Sequence, residues 1–267
     1  MSRSEAIESD VDLAYQAKLN GLEWPPFETR PAHDRVIRVA LAASGKNKAL
    51  TVSIRVKGPV GISDARAVAD GEAARVVNKL AVVLNEPIGD PVRISEGWTI
   101  RGADGPQHHH VTSGSRVGVR AGGEAWVIRG PRAVEDLVIE LEQVDLPDCD
   151  AELFRTLLSV DEVVAKFLAL YVVIAGRLGD NRQRDVDDFI RTEYERKGQP
   201  VAESTPVRGD GRPGKSETVY TRLRNQIAHD RGVPLESTRA EMSQNMRGLI
   251  DLVKACLRDH PSARNVQ

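Results

Sequence analysis

The sequence predicts an α+β protein, with a β-rich domain over residues 1–147 and an all-α domain over residues 148–267. Two observations indicate this division. Runs of β-branched residues that alternate with polar ones fill much of the first half, as in half-buried strands. After residue 150 that alternation stops, and apolar residues recur at helical spacing. We therefore expect an antiparallel sheet with one main helix, followed by an antiparallel bundle of four or five helices.

The elements of the first domain follow from this pattern and from the prolines. A short helix is expected at residues 10–19, before Trp24-Pro25-Pro26-Phe27, because proline lacks the amide donor that a helix needs. A longer helix is expected at residues 63–84, with Ser63 as its N-cap. A hairpin through residues 44–47 is expected between the first two strands. The expected strands lie at residues 35–41, 50–56, 92–101, 117–120 with 125–129, and 133–144.

The second domain is expected to hold five helices. Their apolar residues recur at spacings of three and four, and glycines or prolines lie between them. The fourth helix has Val219, Leu223 and Ile227 as its buried stripe. The expected helices lie at residues 153–158, 163–174, 186–190, 217–232 and 237–258, with a loop at 197–215.

Composition restricts the classes of protein to which the chain can belong. With 267 residues, of which 40% are hydrophobic and 28% charged, the chain can bury a sizeable core. No window reaches the roughly 18 apolar residues of a membrane span, and the first residues lack the apolar core of a leader. Cys149 and Cys256 lack the spacing of a disulfide framework or a zinc site. We expect a cytoplasmic protein without membrane association.

The segment at residues 217–232 carries the most specific chemistry. It places Arg224, Asn225 and His229 within about one and a half turns of an amphipathic helix. Arginine stays charged and binds phosphate, whereas histidine titrates near neutrality and can transfer a proton. Residues 205–231 also hold six Lys and Arg against three Asp and Glu. Such a local surplus attracts a polyanion, although a solvated loop and helix end would carry the same charges.

This half of the chain resembles the HEPN superfamily of all-helical domains, which are marked by an arginine, a short spacer and a histidine, with a polar residue after the arginine. Here the motif is Arg-Asn-Gln-Ile-Ala-His at residues 224–229. The flanking residues 217–220 and 230–232 also look like those of bacterial MauJ-like proteins, which join a β-rich half to such a domain. The resemblance implies a homodimeric, metal-independent endoribonuclease of phage defence or a toxin–antitoxin system. Its expected products are 2′,3′-cyclic phosphate and 5′-hydroxyl ends.

The same resemblance implies a role for each residue of the motif. His229 would be the general base toward the ribose 2′-hydroxyl, Arg224 would hold the scissile phosphate, and Asn225 would orient both. Arg222 and Arg231 are expected to bind RNA phosphates. Toxin members often carry a tyrosine two residues after the histidine, where this chain has Arg231. We therefore do not expect control through a tyrosine at this position.

Helical geometry separates the arginine from the histidine. At about 100° per residue, Arg224 and His229 lie roughly 140° apart, whereas Asn225 and His229 are nearly aligned and Arg222 lies about 20° from His229. Three arrangements would still bring both side chains to one phosphate. The helix could be irregular at this point, the long arginine side chain could bridge the gap, or two protomers could share one site. The third agrees with a homodimer formed through the C-terminal domain.

Two other roles fit the motif. A non-catalytic HEPN-like module would dimerise and bind RNA or a ligand. A purely structural set of side chains would cap carbonyls and hold a loop at the helix end. In the nuclease, the β-rich domain would sense a protein or small-molecule trigger or shape specificity. In the non-catalytic module, it would bind a ligand or partner.

The remaining candidate sites are weaker. The run His108-His109-His110 is expected on an exposed edge or loop rather than in a metal site, because a strand places only its first and third residues on one face. Asp185, Asp187 and Asp188 lie beside arginines and are interpreted as a solvated helix start. We expect no metal site and no cofactor.

Overall fold

The computed structural model describes residues 9–19, 22–44, 48–102, 105–112, 134–179, 182–205, 213–229 and 236–262, with the backbone alone at 99–102, 105–107 and 229. The chain forms two compact units, Met1–Val144 and Asp145–Gln267. In the described residues, a six-stranded antiparallel sheet lies in the first unit, and five of seven helices lie in the second. The predicted α+β class is therefore confirmed.

The sheet is built from six strands, each antiparallel to its neighbours. They are β1 Val11–Lys18, β2 Trp24–Thr29, β3 Val36–Ser44, β4 Ala49–Val56, β5 Val92–Gly102 and β6 Gly105–Thr112. Their order in the sheet is β2-β3-β4-β1-β5-β6. The strands predicted at 35–41, 50–56 and 92–101 are confirmed. The first two pair as a hairpin from Ser44 opposite Ala49, while its turn residues 45–47 lie outside the described part.

The helix predicted at residues 10–19 is wrong, because this segment forms the central strand β1. Val11, Leu13, Tyr15 and Ala17 alternate along it and are almost fully buried on one face. β1 is hydrogen-bonded to β4 on one side and to β5 on the other. Pairing on both edges therefore overrides the helix preference of the alanines, leucines, glutamine and lysine of this segment.

The strand predicted at residues 133–144 is also wrong. This segment contains helix α2, Val134–Glu142, whose Leu137 and Leu141 are buried one turn apart. Pro25 and Pro26, by contrast, lie in a strand, β2, at the edge of the sheet. An edge strand tolerates residues that cannot donate to the ladder, and the register shifts between Trp24 and Phe27. The strand prediction at 117–120 and 125–129 lies outside the described residues.

Helix α1, Ile62–Leu84, covers one face of the sheet and completes the core of the N-terminal unit. Alanines at 65, 69 and 73 are fully buried, and their small side chains allow the helix backbone to approach the strands. The N-cap is Gly61 rather than the predicted Ser63, which lies inside the first turn. The helix ends at Asn85, whose left-handed backbone, with a φ of 54°, is a common way to terminate a helix.

One buried carboxylate ties α1 to the sheet. Glu96 on β5, with 6% of its side chain exposed, accepts two hydrogen bonds from the guanidinium of Arg66 on α1, one of them at 2.9 Å. Arg93 lies 3.6 Å away on the same strand. The Arg66 guanidinium holds the pKa of Glu96 below its ordinary value of 4.5. Glu96 is therefore ionised in the folded protein at neutral pH.

In its described residues, the C-terminal unit holds the five predicted helices and one short ladder. The helices are α3 Asp148–Leu158, α4 Val163–Arg177, α5 Gln183–Arg196, α6 Val219–His229 and α7 Glu236–Asp259. Phe154, Phe167, Ile190, Leu223 and Leu249 are fully buried in its core. The prediction of an all-α domain is not fully correct, because strand β7 Glu203–Ser204 pairs with strand β8 Glu217–Thr218. This ladder joins both ends of the predicted loop, whose residues 206–212 lie outside the described part.

No helix in the described ranges has both the length and the apolar character that crossing a membrane requires.

Shortening Leu80 to alanine should destabilise the N-terminal unit by about 2–5 kcal/mol, because this fully buried side chain of α1 packs in the core and its loss leaves a cavity. The measurement is the free energy of unfolding in urea. Ile37→Ala is the control, since Ile37 is 48% exposed, and it should cost less than about 1 kcal/mol. Equal losses would contradict the packing of α1 on the sheet.

Glu96→Gln should lower the free energy of unfolding by about 2 kcal/mol at neutral pH, since a hydrogen-bonded charge pair is lost. The folded pKa of Glu96 is depressed, so its contribution is present above pH 4.5 and is lost as the pH falls through the folded pKa. The difference between wild type and variant should therefore shrink in acid. Glu28→Gln, at an exposed pair with Arg38, should change stability little at either pH.

Candidate functional site

The first turn of α6 is held by a buried carboxylate on α5. Asp187, 3% exposed, accepts hydrogen bonds from the Thr218 amide at 3.1 Å and from the hydroxyls of Thr218 and Thr221, each at 2.7 Å. Three donors compensate the desolvation of the carboxylate, and the positive end of the helix dipole adds to them. The expectation of a solvated helix start is therefore wrong for Asp187, although Asp188 is exposed.

The same network reaches α4 through Tyr171. Its hydroxyl lies 2.9 Å from Thr221 Oγ1. Because the single proton of the Thr221 hydroxyl is donated to Asp187, the tyrosine must donate to the threonine. Burial raises the pKa of Tyr171, which keeps the phenol in the protonated form that this hydrogen bond needs. The network thus links α4, α5 and α6.

A pair of tyrosines fixes the other side of α6. The hydroxyls of Tyr220 and of Tyr194 on α5 lie 2.6 Å apart, beside Gly248 on α7. A Cβ atom at position 248 would overlap the Tyr220 hydroxyl, so the close packing of α6 on α7 requires glycine there. Burial raises the pKa of Tyr220 far above its ordinary value, so the Tyr220 phenol stays protonated.

The arginine and asparagine of the motif are hydrogen-bonded to each other. Arg224 is exposed, and its Nη1 donates to Asn225 Oδ1 at 3.0 Å. The Asn225 amide donates in turn to Glu217 Oε2 at 2.9 Å and to Gln183 Oε1 at 3.3 Å. Glu217 is only 5% exposed and also accepts from Gln183 at 3.2 Å. Asn225 therefore lies between a buried carboxylate and an exposed guanidinium.

The structure tests two of the three arrangements that could bring Arg224 and His229 to one phosphate, namely an irregular helix and a bridging arginine side chain. Helix α6 is α-helical from Val219 to His229, so it shows no irregularity that would turn Arg224 toward the histidine. The reach of the Arg224 side chain does bring its guanidinium to Asn225, the residue nearly aligned with His229. The imidazole of His229 and all of Arg231 lie outside the described residues. A site shared by two protomers stays a prediction.

Arg222 contacts a different element. Its Nη2 donates to the Glu241 carboxylate on α7, and its side chain is 24% exposed. The helical wheel grouped Arg222 with Asn225, but the structure separates them, since Asn225 contacts α5 and β8. The positive charge of Arg222 is compensated by Glu241. Its role in binding RNA stays a prediction.

The buried carboxylates at this site were missed in the sequence. Asp187 falls in the apolar stripe of α5 with Val186 and Ile190, so helical spacing indicated its burial. Thr218 is followed by Thr221 at the spacing of a helix N-cap and its third residue, which indicated where α6 begins. No local pattern distinguishes Glu217 from a solvated glutamate, because its hydrogen-bond partner Gln183 is distant in the chain.

The histidine run lies where the sequence predicted. His108, His109 and His110 are exposed on β6, an edge strand of the sheet, and His109 stacks on Trp98 with ring centroids 5.7 Å apart. Among the described residues, no group of three or more His, Cys, Asp or Glu side chains is placed to hold a metal ion.

Comparisons of the chain with protein-family models, curated proteins and solved structures found no match. The resemblance to the HEPN superfamily therefore rests on the residues of α6 and those around it.

Asp187→Ala should destabilise the C-terminal unit by about 3 kcal/mol, because it leaves an amide and two hydroxyls without their acceptor. Asp187→Asn, which keeps one carbonyl oxygen, should cost less. Asp188→Ala is the matched control on the same helix, where a half-exposed ion pair contributes less than about 1 kcal/mol. Unfolding in urea, followed by circular dichroism, measures all three. Similar losses for Asp187→Ala and Asp188→Ala would contradict the anchoring role.

Proposed function

We propose that the C-terminal unit is a metal-independent endoribonuclease of the HEPN type, which acts as a homodimer on RNA in phage defence or a toxin–antitoxin system. The proposal rests on the environment of the Arg224 side chain. Its guanidinium is exposed, makes no ion pair within the described part of the chain and is oriented by Asn225. An exposed, oriented and uncompensated arginine on the helix that ends at His229 suits the binding of a phosphodiester.

The proposed reaction is a transesterification. The His229 imidazole takes the proton of the ribose 2′-hydroxyl, and the 2′-oxygen forms a bond to phosphorus. The bond from phosphorus to the 5′-oxygen breaks, and that oxygen leaves as a hydroxyl after taking a proton from water. Arg224 donates hydrogen bonds to the phosphoryl oxygens as negative charge develops on them. The products are a 2′,3′-cyclic phosphate and a 5′-hydroxyl, and no cofactor takes part.

Asn225 and Glu217 act as positioning residues in this proposal. Glu217 accepts from the Asn225 amide, and this bond orients the Asn225 carbonyl oxygen toward Arg224. The guanidinium is thereby partly ordered before RNA binds, which reduces the entropy lost on binding. The neutral amide also separates the Glu217 carboxylate from the phosphate site.

The pairing of Arg222 supports a site made by two protomers. Because Glu241 compensates Arg222, a single α6 offers one uncompensated guanidinium among its described side chains, that of Arg224. Two copies that face each other would double the positive charge in one cleft. In such a dimer the N-terminal unit of each chain would sense a protein or small-molecule trigger.

The alternative is a non-catalytic HEPN-like module that dimerises and binds RNA or a ligand. The positions of two carboxylates favour this binding module. Glu217 lies close to the Arg224–Asn225 pair, and Glu241 compensates the charge of Arg222, the arginine nearest to Arg224 in α6. Both lower the positive potential that a phosphoryl transition state requires.

Arg224→Ala and His229→Ala should each reduce RNA cleavage at least about 100-fold, because one removes transition-state stabilisation and the other the general base. Cleavage of labelled RNA is measured in EDTA, and the product ends are identified by whether the 3′ end needs phosphate removal before ligation. Arg258→Ala is the control, an exposed arginine at the end of α7. It should cleave as the wild type does.

Three results separate the proposals. Cleavage that is lost in both motif variants while they remain folded dimers agrees with the nuclease. RNA that is bound through Arg224 but left intact, with and without phage-infected extract, identifies the binding module. Variants that neither bind nor fold point to a structural role of the motif. A wild-type protein that is monomeric at micromolar concentration in sedimentation would contradict the shared site.

A further inference from the structure

A cavity in the N-terminal unit has three cations among its lining residues and apolar side chains at its floor. It has a volume of about 300 Å³ and lies among α1, α2 and the segment that follows β2. This volume is at the lower end of the range for small-molecule sites. Its lining includes Arg30, Arg75, Val76, Lys79, Leu141 and Glu142.

One wall of the cavity is held rigidly by Glu72. This carboxylate, 4% exposed, accepts from Arg75 Nη2 at 2.5 Å and from Arg75 Nε at 3.2 Å. It also accepts from the Ala32 amide at 3.0 Å, and Arg75 donates to the Arg30 carbonyl oxygen at 3.4 Å. The segment after β2 and the Arg75 guanidinium are therefore tied to α1 without any ligand.

Two further cations keep unused hydrogen-bonding capacity. Lys79 Nζ donates to the Val144 carbonyl oxygen at 3.2 Å, which leaves two of its three donors. Arg30 is exposed, and its guanidinium contacts no carboxylate in the described part of the chain. In the described part of the chain, neither Lys79 nor Arg30 has a carboxylate that balances its charge, whereas Glu72 balances the charge of Arg75. Glu142 is the one carboxylate among the lining residues, and Glu72 pairs with Arg75 behind the lining. Three cations are therefore set against two carboxylates, so the cavity keeps a positive surplus.

The floor of the cavity is apolar. Val76 on α1 and Leu141 on α2 belong to the core of this unit and form the base of this floor, but they are only 1% and 3% exposed. Pro31 and Ala32, which are less buried, add the apolar surface that a ligand can reach. Such a floor suits a hydrocarbon group, whereas the rim suits an oxyanion. A free inorganic ion would leave the floor unused.

We propose that this cavity binds a small organic anion, with one carboxylate or phosphate group on a compact apolar body. Lys79 and Arg30 bind the oxyanion, and Arg75 forms the fixed wall beside it. The apolar body lies against Pro31 and Ala32, above Val76 and Leu141. The proposal does not depend on the reaction proposed for α6. If that reaction is correct, the anion is the small-molecule trigger of the N-terminal unit.

The test is calorimetric titration of the full chain with phenyl phosphate, with benzoate and with the neutral analogue benzyl alcohol. At least one of the two anions should bind with a dissociation constant of about 1 mM or less, and the alcohol should not. Arg30→Gln and Lys79→Gln should each weaken binding about tenfold, because each removes a charged hydrogen bond to the anion.

Arg35→Gln and Lys57→Gln are the matched controls, since both residues are exposed in the same unit and lie outside the cavity. Both should bind as the wild type does, and all four variants should unfold at the wild-type temperature without ligand. Three results would overturn the proposal: no binding of either anion, equal binding of the alcohol, or binding that Arg30→Gln and Lys79→Gln leave unchanged. None of these measurements involves RNA, so they are independent of the ribonuclease test.

Discussion

The geometry of the C-terminal unit depends on the buried carboxylate of Asp187. Removing a carboxylate from water costs several kcal/mol unless hydrogen bonds replace the lost hydration. Here the replacement comes from the amide and hydroxyl of Thr218 and from the hydroxyl of Thr221. These donors are correctly placed only when α6 begins at Val219 and points its first turn at α5. Tyr171 extends the constraint to α4 through Thr221.

The position of the candidate site follows from this anchor. Glu217 precedes Thr218 in the chain, so fixing Thr218 also fixes where the Glu217 carboxylate lies. From there Glu217 accepts from Asn225, and Asn225 accepts from Arg224. A buried, rigid network thus ends in one exposed guanidinium. This arrangement agrees with the general rule that a binding group is most effective when the scaffold holds it in place before the ligand arrives.

In the N-terminal unit, buried carboxylates also hold side chains of neighbouring elements in place, although the fold is different. Glu72 holds Arg75 in the cavity wall, and Glu96 holds Arg66 against the sheet. Replacing both partners of such an ion pair by apolar residues would change the net stability little, because desolvation offsets much of the attraction, although removing one partner alone is costly. The larger effect of these ion pairs is on orientation, since each fixes a long arginine side chain that would otherwise occupy many rotamers. Because Glu72 fixes the Arg75 side chain, the Arg75 guanidinium stays in the wall of the cavity.

The amino-acid sequence by itself determined the elements whose hydrophobic period is clear, such as α1, the strands β3, β4 and β5 and the five C-terminal helices, and it placed Arg224 and Asn225 on an amphipathic helix. Hydrophobic periodicity is local, because neighbours within a turn or a strand establish it. Only the tertiary structure decided that residues 10–19 form a strand, that residues 133–144 contain a helix and that Glu217 is buried. It also decided that Arg222 pairs with Glu241. Strand pairing, burial and charge partners depend on segments far apart in the chain, and no local pattern records which segments will meet.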